Sequence, residues 1–236
     1  MTNTFLQAEW RKLVIANYSV DRKILNKYLP RGTEPDLWNE TCYVSLVGFM
    51  FLNTKVKGVK IPFHINFEEV NLRFYVRHKH DGEWRRGVVF IKEIVSKPAL
   101  TLVANTVYKE NYETMPMSHS WTTTDDDLTV EYRWKKGRWN SLKIITGKVS
   151  SLIQENSEEE FITEHYWGYT KVSDEKTSEY RVEHPRWEVY NTKDYFIDAD
   201  FGNIYGEEFE FLSSQKPESV FLAEGSEIKV KSGREI

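Results

Sequence analysis

The chain has 236 residues, a net charge of −4 and a single cysteine, with a pI near 5.9. That charge balance argues against a nucleic-acid surface, because phosphate recognition rests on clustered Lys and Arg. One cysteine excludes an intrachain disulfide and suits a reducing compartment. No apolar stretch nears the ~20 residues of a membrane helix. The first ten residues lack the basic start and apolar run of a signal peptide, so a cytoplasmic protein with no membrane contact is expected.

Residues 10–18 read as a strand, and a short amphipathic helix follows with Ile24, Leu25, Tyr28 and Leu29 on one face. Pro30, Gly32 and Pro35 end it. Residues 41–52 are nearly all apolar, the pattern of a strand covered on both faces. Cys42 lies in this run and reads as a small buried hydrophobe in preference to a nucleophile. Residues 67–77 and 86–95 flank Asp81-Gly82, the clearest hairpin turn in the chain. From Pro98 to about Tyr112, Leu100, Val103, Ala104 and Val107 have helical spacing. Strands are expected over 128–134, 142–149, 166–171 and 180–183, with last strands near 220–222 and 228–230. Ser157 and Glu160 form a capping-box signal for one more short helix. Without repeats, linkers or a composition break, one domain spanning residues 1–236 is expected.

The most informative segment is Phe67–Arg77. Side chains alternate across a strand, so Val70, Leu72, Phe74 and Val76 share one face and Glu69, Asn71, Arg73, Tyr75 and Arg77 the other. Two readings follow. The polar face lies in water on an ordinary sheet, or it lines the inside of a barrel, where its charges need partners. His78 and His80 share a strand face beside the hairpin tip with no third ligand in sight, so an exposed turn is expected and no metal. Sequence signals for a serine-hydrolase elbow, a phosphate-binding loop or a dinucleotide fingerprint are missing.

Several segments resemble the YqjF-like family, whose barrel is related to acetoacetate decarboxylase. They are residues 10–32, Tyr43–Phe49, Phe67–Arg77, Arg86–Phe90, Phe161–Tyr166 and Arg181–Trp187. The resemblance implies a mainly β (α+β) fold, an acetoacetate-decarboxylase-like closed β-barrel with a few short helices. It also implies a cavity arginine at Arg11 and a cavity glutamate at Glu69. Asn71, Arg73, Tyr108 and Tyr112 join them by strand parity and proximity. The decarboxylase pattern places a Schiff-base lysine pair near 111–112. This chain has Asn111 and Tyr112 there, with Lys109 unpaired nearby.

The expectation is a small-molecule-binding barrel that needs no cofactor. It would act on a small carboxylate or carbonyl compound without Schiff-base chemistry if it is an enzyme, which the residues leave open. The alternative is a non-catalytic ligand sensor or interaction module on the same barrel. A homo-oligomer is compatible with either. In the first reading an arginine takes a carboxylate, a glutamate of raised pKa acts as acid or base, and the tyrosines donate hydrogen bonds. Against it stand a surface ion pair for Arg11 and core packing for Tyr108 and Tyr112.

Overall fold

The computed structural model describes residues 3–236, apart from the side chains of residues 107 and 108. Runs of β-branched and aromatic residues give strands. In chain order these are β1 (Thr4–Ser19), β2 (Thr33–Pro35), β3 (Tyr43–Val56), β4 (Phe67–His80), β5 (Glu83–Val95), β6 (Tyr112–Thr114) and β7 (Met117–Thr123). They continue as β8 (Leu128–Lys136), β9 (Arg138–Leu152), β10 (Trp167–Lys171), β11 (Thr177–Glu183), β12 (Glu188–Asp198), β13 (Ser219–Lys231) and β14 (Arg234–Glu235). The helices are short: α1 (Arg22–Leu25), α2 (Pro98–Val103), α3 (Glu158–Thr163) and α4 (Phe201–Tyr205).

Local chemistry fixes the boundaries. Asp81 and Gly82 both take positive φ (50° and 86°), the conformation of a two-residue hairpin turn between β4 and β5. Ser157 caps α3 by accepting from the Glu160 backbone N–H at 3.2 Å, while the Glu160 carboxylate reaches back to the Asn156 N–H at 2.6 Å. The helix expected from Pro98 to about Tyr112 is cut short. α2 passes into one π-helical turn at Ala104–Tyr108, and Lys109 then takes φ 59°. The Asn105 side chain bonds Tyr112 through both its amide N–H and its C=O, each at 2.8 Å, and the chain turns back as β6 beside β5. β7, β12 and α4 lie where no element is expected. β12 in particular is largely exposed and carries mixed charges, so it shows no period.

The strand order β11-β10-β5-β4-β3-β1-β13 closes on itself because β11 also pairs β13. Seven strands thus form a ring, and the sheet continues from β13 through β12, β9, β8 and β7. Inside the ring Leu13, Ile15, Val47, Phe49, Tyr75, Val95 and Phe221 pack with Phe161 and Ile162 of α3. On the outside, Val70, Leu72 and Phe74 pack with Tyr132, Trp134 and Ile144 of the continued sheet. The hairpin β10–β11 is joined to each neighbour by only two paired positions: Trp167 and Gly168 to β5, Val182 and Glu183 to β13.

Two bulges matter for the site. β1 bulges at Lys12 (φ 54°), whose C=O accepts from the Tyr132 hydroxyl at 2.8 Å. β5 bulges at Ile91, opposite the step from Leu72 to Arg73.

Candidate functional site

β4 is buried on both faces. Glu69, Asn71, Arg73 and Tyr75 point into the ring and are 2%, 1%, 8% and 1% exposed, so the polar face is not the solvated side of an ordinary sheet. Arg77 lies beyond that interior. It is half-exposed, pairs with Glu34 at 2.7 Å and stacks on Trp84.

Strand register builds a carboxyl cluster around Glu69 and Asn71. Cross-strand partners share a face, and Asn71 lies opposite Glu93 of β5, which lies beside Tyr112 of β6. Glu69 accepts from Asn71 Nδ2 at 2.9 Å and from the Tyr112 hydroxyl at 3.2 Å. Glu110 follows the π turn and accepts from Thr170 Oγ1 at 2.7 Å, and it is also hydrogen-bonded to Tyr180. Gly168, paired with Tyr180, leaves the space that the tyrosine ring fills.

Burial dominates the protonation of these groups. It pushes the Glu69 carboxyl up to about 7 against the hydrogen bonds of Asn71 and Tyr112. It likewise pushes Glu110 up to about 7. Glu93 is raised well above the carboxylate range by burial and by the charges of Glu110 and Glu69. Near neutrality the cluster therefore holds protons, and a protonated carboxyl can donate as well as accept. The three titrate as a coupled set.

Arg73 is a charge of opposite sign that acts on Glu69, more weakly than the hydrogen bonds of Asn71 and Tyr112. Among the described residues it forms no ion pair, its Nε has no hydrogen-bond partner, and its guanidinium lies 5.7 Å over the Tyr75 ring. The same Tyr75 ring packs against His165, with centroids 4.8 Å apart. His165 is buried, and its Nε2 lies 3.1 Å from Asp36 Oδ2, which also accepts from Arg86 at 2.6 Å. Burial favours the neutral form of Asp36, yet the His165 and Arg86 contacts outweigh it and hold the carboxyl at about 2. Burial lowers His165 to about 4. Four buried atoms of this inner face lack a hydrogen-bond partner among the described residues: Asn71 Oδ1, Arg73 Nε, Glu93 Oε2 and His165 Nδ1. Unsatisfied buried groups are costly and rare.

A cleft of about 700 Å³ opens where β11 meets β13, lined by Gln7, Asn53, Lys55, His184 and Lys229 among others. Its His184 ring stacks on Trp187, and Arg73 is not among its lining residues. Neither Glu69 nor Glu93 lines it.

The structure brings Glu69, Asn71, Arg73 and Tyr112 together. It does not bring Arg11 to them. Arg11 lies opposite Met50, which lies opposite Glu68, so this row faces the outside of the ring, and the guanidinium pairs with Glu9 at 2.8 Å. The bulge at Lys12 reverses the alternation that would otherwise aim Arg11 inward with Leu13 and Ile15. The Tyr108 side chain lies outside the described residues. Lys109 is exposed, and Lys92 points away to pair with Glu113 at 2.8 Å. His78 bonds the Gly32 carbonyl at 2.7 Å, and no group of three metal-ligating side chains occurs among the described residues. Cys42 is buried, which raises its thiol to about 11. No sequence signal singles out Glu93, Glu110, Tyr180 or the pairing of His165 with Asp36.

Residues 7–227 match the model of a family described as uncharacterized conserved protein, DUF2071. The chain is 32% identical over 75 residues to the uncharacterized protein YqjF of Bacillus subtilis (strain 168). That match spans 31% of this chain and 31% of YqjF. Among solved structures, the enduracididine biosynthesis enzyme MppR with HEPES buffer bound is similar at a TM-score of 0.72 and 13% identity, over 100% of this chain and 89% of that one. MppR complexed with pyruvate gives 0.70 and 12%, over 99% and 91%. The acetoacetate decarboxylase of Legionella pneumophila subsp. pneumophila str. Philadelphia 1 gives 0.66 and 13%, over 99% and 89%. These likenesses establish a mainly β, acetoacetate-decarboxylase-like fold. No helix among the described residues is long and apolar enough to cross a membrane.

Proposed function

The chain belongs to the DUF2071 family of uncharacterized conserved proteins, and on that premise we propose that the inner face of its ring binds a small carboxylate or carbonyl compound. One observation carries this reading: among the described residues Arg73 is a buried cation with no ion pair, and its Nε has no hydrogen-bond partner. An uncompensated buried charge is strongly unfavourable, and a bound carboxylate removes the penalty with charge-assisted hydrogen bonds. Glu69 and Glu93 then donate to a carbonyl oxygen or exchange a proton with the ligand. No lysine joins the set, so the chemistry is proton transfer without a Schiff base. The pyruvate complex of MppR, similar in fold, supports a small carboxylate as the ligand type. The lone cysteine and acidic balance fit a cytoplasmic setting.

The second reading, a sensor that binds without reacting, is favoured by the cleft standing apart from Glu69 and Glu93. Exchange of pyruvate methyl protons in heavy water separates the two, since only the enzyme catalyses it.

The binding claim is tested by thermal unfolding with acetate, pyruvate and acetoacetate. At least one raises the Tm of the wild type, and Arg73→Met weakens that ligand by roughly 10- to 100-fold, the worth of a hydrogen bond to a charged group. An equal response in both proteins, or none in the wild type, overturns it.

A further inference from the structure

The unpartnered atoms of the inner face specify more than a carboxylate. Asn71 and Glu93 stand opposite each other across the β4–β5 pair, so an acid proton on Glu93 and Asn71 Oδ1 can satisfy one another by side-chain rotation. Arg73 Nε and His165 Nδ1 are not placed opposite each other in this way, and each lacks a partner among the described residues. Arginine only donates. The role of His165 is set by Asp36: a carboxylate also bound to Arg86 can only accept, so His165 Nε2 carries the hydrogen. In the neutral ring Nδ1 is then an acceptor. It is buried, and both it and Arg73 belong to side chains packed on Tyr75.

Resting on the carboxylate reading above, we propose that the ligand is a small hydroxy acid, whose carboxylate meets Arg73 and whose hydroxyl donates to Nδ1 of His165. An oxo acid presents no donor to Nδ1. An amino acid would bring a second cation beside Arg73 in a site shielded from water, which is costly. A hydroxyl supplies the donor without the charge. His165 thereby becomes the residue that selects among acids, and Asp36 and Arg86 are positioning residues that fix its tautomer.

Calorimetric titration with matched acids tests this: lactate against propionate, pyruvate and alanine, and 3-hydroxybutyrate against butyrate. In the wild type at least one hydroxy acid binds about tenfold tighter than its deoxy partner, the scale of one hydrogen bond that would otherwise leave a buried acceptor unpaired. His165→Phe removes that margin and leaves the deoxy acid's affinity unchanged. The imidazole ¹⁵N resonance of His165 Nδ1 in the wild type moves with the hydroxy acid and not with the deoxy acid, a readout that stands if the variant fails to fold. Equal binding of hydroxy and deoxy acids, both abolished by Arg73→Met, overturns this inference and leaves the carboxylate reading standing. A margin that survives His165→Phe also overturns it. Binding of none of the acids sinks both.

Discussion

Glu69 stands at the centre of a proton store. Its carboxyl hydrogen-bonds Tyr112 and Asn71, and burial raises it from 4.5 to about 7. The folded chain therefore keeps a proton that the unfolded chain releases at about 4.5. Stability from this group is fully present below that value and is lost as pH rises through about 7. Glu69→Gln keeps the shape and removes the titration. In urea unfolding the wild type should lose stability relative to the variant between about pH 4.5 and above 7, by at most about 3 kcal/mol. A difference that does not change with pH would contradict the buried, protonated state. His165 acts in the opposite sense. Its folded ring is held at about 4, so it withdraws stability as pH falls from 6.5. The difference between wild type and variant isolates Glu69 from that effect.

At the scale of elements, two bulges decide which side chains meet. The alternation in Phe67–Arg77 is legible in the sequence because no irregularity interrupts β4 over those positions, and it correctly groups Glu69, Asn71 and Arg73 on one face. Arg11 faces away from that cluster because a single left-handed residue at Lys12 reverses parity, and nothing in Trp-Arg-Lys-Leu announces it. Glu93 was hidden by the same physics. The turn at Asp81-Gly82 sets pairs such as Arg77 with Arg86 and Arg73 with Phe90, and continuing that register would put Lys92 opposite Asn71. The bulge at Ile91 substitutes Glu93 and sends Lys92 outward. Glu110 and Tyr180 depend on strands distant in sequence, so their meeting has no local signal.

The packing of that pair is itself testable. A Cβ on Gly168 would lie 2.1 Å from Tyr180 Cζ. Gly168→Ala should cost about 1–3 kcal/mol by overpacking, read from the urea midpoint. In a Tyr180→Ala background the same substitution should cost far less, because the clash is with the removed ring. An undiminished cost there would place the strain in the backbone instead.

For the whole molecule, the ring is secured unevenly. β1 and β13 pair at twelve positions, whereas the β10–β11 hairpin is joined to β5 and to β13 at two each, with two more pairing β11 to β14. Side chains reinforce these joints: Arg85 and Arg234 both reach the buried Glu179 carboxylate, at 2.8 and 2.9 Å, and Lys231 reaches Glu183 at 3.0 Å. Backbone amides in 167–183 should still exchange with heavy water faster than those of 13–17 and 220–223. Uniform protection around the ring would refute this.

The hairpin with those sparse joints also carries Thr170 and Tyr180, the two partners of Glu110. Were it to swing out, solvent would reach the acid groups at the same moment that their contacts were withdrawn. Access to the interior and the protonation of its carboxyls would then be governed by one movement, so that opening the ring discharges its stored protons and reclosing it takes them up again.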